Sequence, residues 1–119
     1  MTDQAALEQR EVLFDALGDR TRRSILDLLA DGPRAVVDLA AELPVTRPAV
    51  SLHLKVLSDA GLVTQQAAGT RRIYRLDPDG LELLRTYLDR MWAGALDRFA
   101  AAAEQAHAQN STRTRPKEQ

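Results

Sequence analysis

Cysteine is absent from this chain. Disulfides, thiolate metal centres and thiol redox sensing are therefore excluded outright. Aromatic residues are scarce, with Phe14, Tyr74, Tyr87, Trp92 and Phe99 forming the full set. The core must then be built from Leu, Val and Ala, a composition that suits helices. No run approaches the roughly 18 apolar residues of a membrane span. The N-terminus MTDQAALEQR lacks the basic-then-apolar order of a signal peptide, so a cytoplasmic location is expected. No phosphate-cradling glycine loop, nucleophile–base pair or metal-ligand set is visible. No enzymatic role, catalytic residue or cofactor is assigned.

What remains is the composition of an ordinary folded domain, 45% hydrophobic and 28% charged over 119 residues. The net charge of −1 hides a strong local asymmetry. Residues 1–45 carry five Arg against nine acids, and residues 77–119 carry six basic residues against seven acids. Residues 46–76 carry five basic residues against one acid, a local +4. Positive charge gathered on an acidic scaffold is the electrostatic footprint of a phosphate-binding surface.

That basic stretch begins with a helix signal. Thr46 can cap orphan amides, and Pro48 falls in the first turn, where a missing N–H costs little. Val50, Leu54 and Leu57 recur at i, i+4, i+7 as one buried stripe, and Gly61 marks a stop near Ala60. At about 100° per residue, Pro48, Ser51, Leu52, Lys55 and Asp59 fall opposite the stripe, with Arg47 and His53 on its flanks. Upstream, residues 5–17 read as a helix offering Leu7, Val12, Leu13, Ala16 and Leu17 for burial. Asp19 caps a second helix striped by Ile25, Leu28 and Leu29. Arg20, Arg22 and Arg23 lie in its first turn, against the dipole; either Asp15, Asp19 and Asp27 neutralise them or they reach a phosphate. Asp31-Gly32-Pro33 stops that helix, and a short one over 36–43 follows, burying Val36, Leu39, Ala40 and Leu43. A short helix linked so tightly to a second with an outward polar face is a helix-turn-helix pattern.

Residues 62–66 and 72–76 alternate as two strands around the turn 67–70, a hairpin that projects Arg71, Arg72 and Arg75. Asp77-Pro78 opens the longest helical pattern. Along it Leu81, Leu84, Leu88, Met91 and Ala95 take alternating steps of three and four, extended by Phe99 and Ala102, with Tyr87 and Trp92 alongside. Twenty-five residues at 1.5 Å each span about 37 Å, more than this domain needs for its own core. The seam is read as a homodimer interface. Residues 109–119 are polar throughout, so the folded domain is placed at 1–108 and the remainder read as a disordered tail.

The expected fold is mainly α with a small β-hairpin, a winged helix-turn-helix paired through terminal helices. The stretches LFDALGDRTRRSILDLLADGP, RPAVSLHLKVLSDAGLV and AAGTRRIYRLDP resemble the opening, recognition helix and wing of the ArsR-type bacterial transcriptional repressors. This resemblance implies a homodimer on an inverted-repeat, double-stranded DNA operator. Carried over by position, base and nearby phosphate contacts come from Arg47, Pro48, Ser51, Leu52 and His53, with Lys55 on the backbone and Thr70, Arg71 and Arg72 in the wing. For His53 a DNA contact or a packed polar role outweighs a metal or general-base role, since no second ligand lies within helical reach.

The chain departs from the family where many members sense metals. Ala35 and Val37 stand where the thiols of an ELCVCDL-like motif would be. For the family's second site, on the long helix, only His107 and Glu104 are present, too few for a closed transition-metal site. No metal sensing is expected. Release by dimer concentration alone, or by an apolar small-molecule effector entering near Met91, Trp92 and Phe99, both stand open. The rival reading of the whole chain is a winged-helix module that binds another protein through the same face.

Overall fold

The computed structural model describes residues 3–114, and side chains over 4–110. The elements run α1 (Asp3–Leu17), α2 (Arg20–Ala30), β1 (Arg34–Ala35), α3 (Val36–Glu42), α4 (Arg47–Asp59), β2 (Val63–Ala68), β3 (Arg71–Leu76) and α5 (Pro78–Thr114). They divide into two compact units, one ending at Leu84 and the other beginning at Arg85.

The first unit holds the core. Leu13 and Ala16 of α1, Ile25 and Leu29 of α2, and Leu39 of α3 close around Val50, Leu54 and Leu57 of α4, with Leu62 and Val63 beyond the α4 turn. All three stripe residues of α4 are fully buried, as their spacing requires. Truncating any one of these buried leucines to Ala would cost about 2–5 kcal/mol. Val12 and Leu7 of α1, expected inside, are instead 46% and 44% exposed. Only one side of that helix meets α2 and the core.

The helix caps form as the sequence predicts. The Asp19 carboxylate accepts from the Arg22 amide at 3.0 Å, and the Thr46 hydroxyl accepts from the Ala49 amide at 3.3 Å. Arg22 keeps part of the expected neutralisation, since its charge acts on the Asp19 carboxylate, but the hydrogen bonds of the Arg22 and Arg23 guanidinium groups go to backbone carbonyls. Arg22 donates through Nε to the Ala16 carbonyl at 2.7 Å and through a terminal nitrogen to the Asp15 carbonyl at 3.1 Å. Arg23 donates to the Leu17 carbonyl at 2.7 Å. Cations that oppose the dipole of α2 thereby satisfy the orphan carbonyls at the C-terminus of α1, where the dipole favours them.

The expected hairpin is part of a three-stranded antiparallel sheet, ordered β1-β3-β2. β1 pairs Arg34 with Tyr74 and Ala35 with Ile73. Two residues carry no periodicity, so no pattern could announce this strand. The turn is also tighter than the expected 67–70: Ala68 pairs with Arg71, leaving Gly69 and Thr70 between the strands. Gly69 takes φ +66°, the left-handed conformation that two-residue hairpin turns favour.

α5 starts where Asp77-Pro78 predicts. The Asp77 carboxylate accepts from the Asp79 amide at 3.0 Å, and its carbonyl accepts from Leu81 at 3.1 Å. Two expectations about this helix are corrected. Leu81, assigned to the dimer seam, packs against the core of its own unit. The helix also passes the expected boundary at 108 and continues to Thr114, so 109–114 is helical; this stretch, QNSTRT, contains no Gly or Pro to break the helix. The rest of the expected tail, 115–119, lies outside the described residues. A close approach anchors the first turn of α5: a Cβ at the buried Gly80 would stand 1.8 Å from the Gly61 carbonyl oxygen. Gly61 itself adopts φ +84° just after α4.

Candidate nucleic-acid interface

The short linker 43–46 ends in the Thr46 cap and delivers α4 with its stripe against α2 and α3. The opposite face therefore points outward, and Arg47, Pro48, Ser51, Leu52 and Lys55 are all exposed. The wing stands beside it. Arg47, Ser51, Thr70, Arg71 and Arg72 line one open groove whose floor is Ala35, Val36, Val37 and Tyr74. Five of the nine residues assigned to DNA contact thus converge there, drawn from α4 and from the tip and return strand of the wing. A second groove, lined by Ser51, Lys55, Ser58, Gln65 and Tyr74 among others, continues along the same side of α4.

The cations of this surface are held in different ways. Arg71 pairs with Asp38 of α3 at 3.1 Å; both side chains are half exposed, and Asp38 also accepts from the Ala35 amide. Arg72 donates to Gln65 and Arg75 to Gln66, each at 3.1 Å across the β2–β3 ladder. Lys55 pairs with Asp59 one turn along α4, also at 3.1 Å. An exposed pair of this kind is worth about 1 kcal/mol or less, so a phosphate can displace the partner at little cost. Arg47 alone among these cations makes no ion pair or hydrogen bond within the described residues. Asp38, Gln65 and Gln66 escaped the sequence reading. Only the strand register, which the turn length sets, brings the two glutamines to their arginines.

His53 lies apart from the groove. Its Nδ1 sits 3.5 Å from an Arg22 terminal nitrogen and 3.9 Å from the Asp19 carboxylate, so the ring is packed against the start of α2. Of the two roles offered for it, the packed one matches this placement. The Asp19 carboxyl is held below its ordinary value. The Arg22 amide donating to it is the main cause, opposed by partial desolvation and assisted by the charges of His53 and Arg22. Among the described residues, no three His, Asp or Glu side chains gather as a metal site, and no helix is long and apolar enough to cross a membrane.

Two tightly linked helices with an outward-facing second member, flanked by a basic antiparallel hairpin, define a winged helix-turn-helix DNA-binding protein. Residues 19–65 match the family model described as bacterial regulatory protein, arsR family. The chain is 60% identical over 87 residues to the HTH-type transcriptional regulator Rv2034 of Mycobacterium tuberculosis, covering 73% of this chain and 81% of that protein. It is 37% identical over 79 residues to the arsenical resistance operon repressor of Bacillus subtilis, covering 66% and 75%. The solution structure of the homodimeric winged helix-turn-helix DNA-binding domain of Mb0332 from Mycobacterium bovis superposes with a TM-score of 0.65 at 31% identity, covering 82% of this chain and 93% of that one. The chain belongs to the ArsR family of bacterial regulatory proteins.

Proposed function

We propose that this chain, as a homodimer, represses transcription by occupying an inverted-repeat operator, with one α4 per subunit in successive major grooves. The groove shared by α4 and the wing carries the reading: it sets the unpartnered Arg47 and the hydroxyl of Ser51 beside Thr70, Arg71 and Arg72. Arg47 and Ser51 have the chemistry to bond base edges, while the wing arginines and Lys55 suit phosphates. Family membership favours DNA over a protein partner for this face. Pairing through α5 is supported by Leu88, Met91, Trp92, Leu96 and Phe99, five large hydrophobics left exposed along the second unit. Metal release is not part of the proposal, because Ala35 and Val37 offer no ligand at the start of α3.

The deciding experiment is selection of bound fragments from random and genomic DNA by the purified protein. The expected product is a palindromic site with half-site centres about one helical turn, roughly 34–36 Å, apart. The affinity for that site should fall steeply as salt rises, with a logarithmic slope of about −0.9 for each phosphate neutralised. Recovery of no preferred sequence, or binding indifferent to salt, would return the face to the protein-interaction reading.

A further inference from the structure

We propose that Leu52 reads the 5-methyl group of a thymine in each operator half-site. The assignment rests on the DNA-binding reading above and adds the base that this side chain selects. Leu52 is 67% exposed, and at about 100° per residue it points almost directly away from the buried stripe of Val50, Leu54 and Leu57. Its neighbours on the outward face are Pro48, Ser51, Lys55 and Asp59, of which Lys55 and Asp59 satisfy each other. Val56, the nearest other exposed hydrophobe on α4, is 40% exposed and sits a turn nearer the C-terminus, beyond the N-terminal half of a recognition helix that meets base edges.

A lone exposed leucine is unremarkable on most surfaces. This one is centred on the reading face, and Ser51 beside it lines both grooves against the wing. Leucine has neither donor nor acceptor, so it cannot take part in the hydrogen-bond code of the major groove. The one apolar group that groove presents is the thymine methyl. Burying the leucine on that methyl removes apolar surface of both from water. Cytosine lacks the methyl and would leave the leucine without that apolar contact.

The test uses the full-length protein and the operator obtained by selection. Each thymine is replaced in turn by deoxyuridine, symmetrically in both half-sites, which deletes the methyl and leaves every hydrogen-bonding group. At one thymine per half-site the wild-type affinity should drop by about fourfold for each methyl removed, the size expected for one buried methyl-sized group. Leu52→Ala, at a position 67% exposed and outside the core cluster, should bind the parent operator correspondingly less well and should be indifferent to uracil at that same position. A wild type indifferent to uracil at every thymine, while still preferring its operator to random DNA, would overturn the assignment and leave the DNA-binding reading intact. A uracil penalty that persists unchanged in Leu52→Ala would give the methyl to another residue. Loss of all preference for any DNA would remove both.

Discussion

Gly80 carries a constraint that its own helix opposes. Alanine normally stabilises a helix interior by about 1 kcal/mol over glycine, but here the added methyl would meet a backbone oxygen that cannot rotate away. Gly80→Ala is expected to destabilise the protein by about 3 kcal/mol, the cost of forcing packed backbones apart, read as a lower urea midpoint with an unchanged slope. Asp19 predicts a pH effect. Its carboxyl is lowered from 3.8, chiefly by the Arg22 amide. Its contribution is therefore present in full above the unfolded value and fades as pH falls through the folded one. Urea unfolding from pH 6 to 2 should show stability falling on the acid side, and Asp19→Asn should flatten that limb. The cap itself was legible in the sequence, because the bond joins residues three apart. The neighbourhood of His53 was not, since Arg22 and Asp19 reach it only when α2 packs on α4.

At the scale of the element, the wing is a short ribbon whose arginines are already engaged. Arg71 leans on Asp38 of α3, and Arg72 and Arg75 on the paired strand. The contacts of Arg71 and Arg72 hold their guanidinium groups at the groove with low cost of release, and restrict the rotamers that binding would otherwise have to fix. Arg71→Ala and Arg72→Ala should each lower DNA affinity about equally on all sequences and reduce the logarithmic salt slope by about one. A loss confined to particular operator sequences would make them base readers. The basic hairpin was visible from its alternation and glycine. The third strand was not, because β1 is defined only by its pairing with β3.

For the whole molecule, the decisive quantity is pairing. Leu88 and Met91 are exposed on α5, as are Trp92 at 66% and Phe99 at 74%. Leu88→Glu and Met91→Glu should therefore leave the first unit folded. In sedimentation each should yield monomers, and operator binding should be lost together with pairing. A monomer that still binds the full operator with undiminished affinity would defeat the paired-groove arrangement. Zinc or arsenite added at micromolar concentration should leave operator affinity unchanged, measured by fluorescence anisotropy, because there is no thiolate for arsenite and, among the described residues, no cluster of three His, Asp or Glu for zinc.

Sequence alone determined what depends on neighbours along the chain: the caps at Asp19, Thr46 and Asp77, the buried stripe of α4, the outward placement of Ser51, Leu52 and Lys55, the basic hairpin, and the exclusion of thiol chemistry. These follow from spacing of a few residues and from side-chain chemistry. Tertiary structure decided what depends on residues far apart in the chain. It placed Leu81 in the core, set Asp38 against Arg71, joined β1 to the wing, and turned Arg22 and Arg23 to the carbonyls of α1. It also required a glycine at 80. Such contacts arise only when separate elements pack, and no local period encodes which atoms will then meet.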